Sequence, residues 1–334
     1  MMQAGVCFVE ALRGDRVESI HRVHVAVAHA ARGLVTSAGN PAHVSFVRSA
    51  IKMFQVLPFV EGGGVERFGL SGEELALCTA SHGGEPFHVA TARSILEKAK
   101  VTEAALACGP QLPLHEPAAQ ALAAGGAEPG RIHNNCSGKH AGMLACCVQH
   151  QWVTNGYHRP SHPMQQRVRS TLERWMHTDP VHRSMATDGC GLPTFAMPLD
   201  AVAEGCARFA AAVHAGEAAP TTIFNAMVRH PEYVAGTDRL DTDLMRVTGS
   251  KLIAKVGAEG FYTAAIPSMR IGVALKVEDG SKRAAEPALL AVLRHIDAIN
   301  RGELDRLSKY SAPEILNTRN EIVGNLQATL VLDS

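Results

Sequence analysis

Strand-like alternation is confined to the two ends of this chain, and a long helical middle separates them. Over residues 5–30, Val6 and Phe8, then Val23, Val25 and Val27, recur at every second position, broken by Gly14-Asp15. That pattern reads as an antiparallel hairpin. After residue 250 the strand signal returns in Lys251–Val256, Phe261–Ile266 and Ile271–Val277. Glu278-Asp279-Gly280-Ser281 makes a turn, and a helix follows from Pro287 to Ile299. The stretch from about 70 to 235 is rich in Ala, Leu, Glu and Arg at helical spacing. Ser71-Gly72-Glu73-Glu74, Pro86–Leu96 and Met164–Trp175 mark three helices, and a buried helix over 46–60 begins near Ser45. Pro and Gly clusters near 109–114 and 189–193 are loops, and the Ala/Gly-rich stretch 121–130 is an exposed loop. The expectation is an α+β fold: one antiparallel sheet assembled from N- and C-terminal segments, with an inserted helical lobe. Residues 1–334 form a single domain, with a sheet lobe at about 5–45 and 250–334 and a helical lobe at about 46–249.

Lys+Arg and Asp+Glu both number 32, so the formal charge is zero. A nucleic-acid partner would want a basic face, and none is expected. A small zwitterionic or neutral ligand suits the balance better than a polyanion. No apolar run reaches bilayer length, and the N-terminus shows neither a basic n-region nor a long h-region. The expectation is a cytoplasmic chain with no membrane contact, its eight cysteines mostly reduced. Cys146-Cys147 reads as buried filler, not a vicinal disulfide.

Five segments carry groups with chemistry. Ser49-x-x-Lys52 places a hydroxyl and an amine on one helical face. A lysine kept neutral by a dry site takes a serine proton, as in the penicillin-recognising hydrolases. The bland alternative is a solvated helix face. Ser81, in Ser81-His82-Gly83-Gly84-Glu85, sits at an element junction, where it is a nucleophile candidate or an ordinary helix cap. In Asn134-Asn135-Cys136-Ser137-Gly138-Lys139-His140, Cys136 and His140 are competent zinc ligands at i, i+4, and Lys139 is a poor one unless deprotonated. The alternative is a helix start with a buried thiol. Asp188-Gly189-Cys190-Gly191 is a turn with little bulk, open to close approach by a ligand. Lys255 ends a strand before Gly257 and Gly260, as a second base or as a surface lysine.

In this order the five motifs resemble the asparaginase II proteins of the bacterial Rhizobium-type, thermolabile class, over about residues 5–330. The resemblance implies a fold like the serine β-lactamases and penicillin-binding proteins, and hydrolysis of L-asparagine to L-aspartate and ammonia. It implies two serine–lysine pairs, which fall on Ser49 with Lys52 and on Ser81 with Lys255. It implies zinc held by Cys136, Lys139 and Cys190, against the residue-based preference for His140. Ser49 is then the attacking group and Lys52 its base, with Ser81 and Lys255 assisting proton transfer. Arg48 and Asp188 suit the two charges of the amino acid, and His140 is placed with the substrate. A homodimer is the expected assembly. Gly83 stands where the family often has serine, and Met53 where it often has proline. The rival reading is a related serine amidohydrolase acting on glutamine, a peptide or a β-lactam.

Overall fold

The computed structural model describes residues 5–178 and 184–333. It divides into two compact units, one of Met1–Ala50, Ala196–Ala215 and Asp243–Ser334, the other of Ile51–Phe195 and Gly216–Thr242.

The first unit is built on an eight-stranded antiparallel sheet. Its strands are β1 (Val6–Arg13), β2 (Arg16–His29), β3 (Gly33–Ala38), β4 (Ile253–Val256), β5 (Phe261–Ile266), β6 (Ile271–Val277), β7 (Glu314–Leu316) and β8 (Ile322–Val331). The order is β7-β8-β1-β2-β6-β5-β4, with β3 also paired to β2. The hairpin expected around Gly14-Asp15 is β1–β2, with Phe8 opposite Arg22. The two ends of the chain meet where Val6 faces Val331 along the β1–β8 ladder. This is the α+β arrangement expected from the sequence. Val9, Val23, Val25, Val273 and Leu275 form its buried core.

Two helices pack against this sheet, Leu199–His214 and Lys282–His295. The first lay within the expected helical lobe, yet it belongs to the sheet unit. Gly272 on β6 explains why. A Cβ there would lie 2.2 Å from the Ala203 carbonyl oxygen and 2.3 Å from the Ala207 nitrogen, so only glycine lets the helix approach. The second helix starts at Lys282, ahead of the expected Pro287, which lies inside it.

The second unit is helical. The helices Lys52–Glu61, Gly72–Cys78, Pro86–Lys98 and Pro163–Met176 pack around Ser137–Gln149, of which every residue but Val148 is buried, and Ala218–Arg229 packs on the first two. The helix is buried all round although it carries Ser137, Lys139, His140 and Gln149, polar groups that need partners inside the unit. Ser71 caps its helix through a reciprocal box with Glu74. Part of the expected loop at 121–130 is instead the end of the helix Glu116–Ala124.

The helix expected over 46–60 is interrupted. Val44–Phe46 is a strand paired with residues Ala196–Pro198. Arg48–Ile51 is a 3-10 turn, and the α-helix opens only at Lys52. Arg48 has φ of 48°, a left-handed conformation that costs a non-glycine residue energy. Ser49 and Lys52 therefore do not lie on one continuous α-helix. Among the described residues, no helix is long and apolar enough to cross a membrane.

Candidate active site

In the helical unit, Lys52 stands at the first position of its helix with no exposed surface. Its Nζ lies 3.0 Å from Ser81 Oγ and 3.1 Å from Cys136 Sγ, and it also donates to the Ala80 carbonyl. Burial pulls this amine below the usual lysine range, against the attraction of Cys136. The sequence paired Lys52 with Ser49. The serine hydroxyl within hydrogen-bond reach of its amine in this unit is Ser81.

Ser81 is held from both sides. Its N–H donates to the Val234 carbonyl at 2.9 Å, and the His82 N–H to the Asn135 carbonyl at 3.0 Å. Gly84 N–H donates to His82 Nδ1, so Nε2 carries the ring hydrogen and donates to Ser137 Oγ at 2.9 Å. Farther along, the Glu85 carboxylate accepts from the Thr237 N–H and hydroxyl. The segment 81–85 is thus tied to the start of the Ser137–Gln149 helix and to the 234–237 loop.

That helix brings the next groups. Gly138 and Gly142 form its contact with the end of the Gly72–Cys78 helix. A Cβ on Gly138 would lie 2.4 Å from the Leu77 carbonyl oxygen, and one on Gly142 2.7 Å from Cys78 Sγ. Glycine at both positions sets Cys136 and Lys139 down beside the Ser81 segment. A small-residue pair at i, i+4 is the sequence signal for this contact.

Cys190 enters from a hairpin. Met185–Thr187 pairs with the start of the strand Pro193–Pro198. The connecting turn is closed by bonds between Asp188 and Leu192 and between Gly191 and Asp188, both 2.8 Å. Lys139 Nζ lies 3.2 Å from Cys190 Sγ. Cys136 donates to Asn135 Oδ1 at 2.9 Å and also hydrogen-bonds Cys190. The bond from Cys136 holds the Cys190 thiol down to about 5 despite burial, with Lys139 helping. Cys136 itself is pushed up to about 12, by that same bond and by burial. Burial opposes the charge on Lys139, but Cys136, Cys190 and Asp188 together hold its amine above the usual range.

Two sulfurs and one amine converge here, a donor set that suits zinc with one position left open. Among the described residues, no group of three or more His, Cys, Asp or Glu side chains is arranged to hold a metal. A metal in this cluster would depend on Lys139. His140, the ligand preferred from spacing alone, is instead engaged at Nδ1 by the Tyr157 hydroxyl. All eight cysteines are free and buried, Cys146 and Cys147 among them.

The sheet unit carries the other expected residues. Ser49 is half-buried in its 3-10 turn, after Arg48. Lys255 is fully buried on β4, opposite Thr263 of β5. Thr263 donates its hydroxyl to the Ala50 carbonyl at 2.7 Å. A Cβ on Gly257 would lie 3.2 Å from that of Ala50. These two contacts dock the Ser49 turn on the strands that hold Lys255. Asp188 is half-buried in the helical unit.

A buried lysine amine on a serine hydroxyl is an arrangement able to activate a nucleophile. The chain belongs to the L-asparaginase II family, whose sequence pattern matches residues 9–328. It is thereby an asparaginase-type amidohydrolase. No curated protein matches it. Among solved structures it is similar to a protein from Bacteroides dorei DSM 17855 provisionally described as a beta-lactamase. The identity is 11%, over 82% of this chain and 86% of that one, with a TM-score of 0.36. That superposition is too loose to carry an argument.

Proposed function

We propose that this protein hydrolyses L-asparagine to L-aspartate and ammonia through a serine activated by lysine. The contact of Lys52 Nζ with Ser81 Oγ, 3.0 Å long in a buried setting, carries the reading. Lys52 takes the Ser81 proton, and Oγ attacks the side-chain amide carbon. The carbon–nitrogen bond then breaks, with the proton passing from Lys52 to the departing ammonia. Water cleaves the resulting ester, its proton taken by the same amine, and Ser81 is restored. Asp188 offers a carboxylate to the substrate α-amino group. A zinc ion held by Cys136, Lys139 and Cys190 would supply a positive anchor and polarise a substrate oxygen.

One observation favours Ser49 as the attacking group instead: the left-handed backbone of Arg48, immediately before it. Strain of this kind clusters at active sites. Mass mapping of the acylated peptide in acid-quenched reactions decides between the two serines.

Coupled ammonia detection with asparagine, glutamine and a chromogenic β-lactam tests the substrate. Lys52→Met is expected to lower kcat by about 10²–10⁴-fold, the usual contribution of a positioned base. Ammonia release from asparagine no faster than from glutamine would remove the substrate assignment. Turnover undiminished in Lys52→Met would remove the mechanism.

A further inference from the structure

A cavity in the helical unit lies apart from the groups placed in the site. Its volume is about 260 Å³, and residues 104–107, Arg131 and residues 154–158 line it. None of Lys52, Ser81, Cys136, Lys139 and Cys190 is in its wall. It is smaller than the clefts that hold drug-sized ligands, and it suits a small molecule.

The wall is rich in hydrogen-bond donors. Arg131 opens a 3-10 turn, and its Nη1 donates to the Leu106 carbonyl. That bond fixes the guanidinium at the cavity. Among the described residues Arg131 has no ion-pair partner, and its Nε and Nη2 make no bond, so the forked edge that matches an oxyanion is open. The turn 154–158 supplies more donors. Gly156 has φ of 75°, in the left-handed region that glycine takes readily. The N–H groups of Asn155 and Gly156 meet no acceptor among the described residues. Successive N–H groups left open in such a turn form an anion cradle. His158 Nδ1 is buried and has no hydrogen-bond partner among the described residues. A solvated turn beside a surface arginine would not account for that nitrogen, since buried polar groups are satisfied wherever they can be. No carboxylate lines the cavity. Glu103, next in the chain to its wall, is engaged by Arg93 at 3.3 Å.

We propose that this cavity binds the oxyanion group of a small molecule, a carboxylate or a phosphate. The Arg131 fork takes its oxygens, the Asn155 and Gly156 N–H groups add backbone donors, and His158 donates from Nδ1. None of these residues takes part in the proposed hydrolysis, so the site stands or falls apart from it.

Calorimetric titration of the full chain at low ionic strength, with inorganic phosphate and separately with succinate, tests the site. At least one of the two should bind with a Kd of about 1 mM or tighter, and the tighter one names the ligand class. Nitrogen-15 NMR locates the occupant: the amide signals of Asn155 and Gly156 and the ring signals of His158 should shift with the anion. Arg131→Gln should bind about 10–100-fold more weakly, the usual loss for a hydrogen bond to a charged group. Arg131→Lys keeps the charge without the fork, and its affinity should fall between the two. If Arg131→Gln does not fold, Arg131→Lys and the wild-type NMR decide the matter. Binding of neither anion overturns the proposal. So does binding that leaves the Asn155, Gly156 and His158 signals unmoved, or wild-type affinity in Arg131→Gln or Arg131→Lys.

Discussion

Gly138 should control the alignment of the site, because its helix can hold Cys136 and Lys139 in place only by touching the Leu77 carbonyl. A methyl group there would sit 2.4 Å from the Leu77 oxygen and 2.5 Å from Leu77 Cγ. Ordinary contact begins at 3.4 Å, so the helix must withdraw by about 3.4 − 2.4 = 1.0 Å. The obstacle is backbone, close before Ala80 and Ser81, so it cannot swing aside as a side chain would. Cys136 and Lys139 then move by about that distance from Ser81 and Lys52. A misplacement near 1 Å in a catalytic constellation lowers rate by about 10²-fold. Overpacking of this kind destabilises by about 1–3 kcal/mol. Gly138→Ala should therefore fold, melt earlier and lose about a hundredfold in kcat/KM for asparagine. Gly142→Ala is the control. Its nearest obstacle is Cys78 Sγ at 2.7 Å, a side chain that can rotate, so its loss should be clearly smaller. Steady-state ammonia release and thermal melts of both variants make the comparison. A Gly138→Ala protein with wild-type kcat/KM and wild-type Tm would refute the claim that this contact sets the site.

Two further outcomes follow from the same helical unit. Burial lowers His88 from 6.5 to about 4, despite Glu85 and the Glu232 carbonyl nearby, and drives His82 down too. In that window the unfolded chain binds more protons than the folded one, so stability is present above pH 6.5 and is lost as pH falls toward 4; His88 alone accounts for about 3 kcal/mol. Calorimetric Tm values should fall steadily from pH 7 to pH 4.5, and a flat profile would contradict the burial argument. For the thiol cluster, elemental analysis should find about one zinc per chain in the purified protein. Lys139→Met should carry almost none, and full zinc occupancy in that variant would show that the amine is not a ligand.

Local pattern was enough wherever an element forms from its own residues. Gly14-Asp15 breaks an alternating run and becomes the β1–β2 turn, and Phe261–Ile266 and Ile271–Val277 are strands over the bounds read from the sequence. The strand Ile322–Val331 carries no such local signal. Gly324 and Asn325 interrupt its apolar pattern, and what stabilises it is pairing with β1 at the far end of the chain. The helix Leu199–His214 shows the same difference. Its helical character is local, but its place on the sheet depends on an absent side chain at Gly272. The site follows this rule too. Ser49 and Lys52 were paired because three residues on a helix bring side chains together. The left-handed Arg48 and the 3-10 turn mean that the two do not share one α-helix, and within its own unit Lys52 also meets the Ser81 hydroxyl, 29 residues away. Spacing identified the groups able to react, since a serine, a lysine or a thiol is recognisable wherever it stands. The placement of Cys136 and Lys139 depends instead on how closely two helix backbones approach, and there the glycines at 138 and 142 have no side chain to recognise.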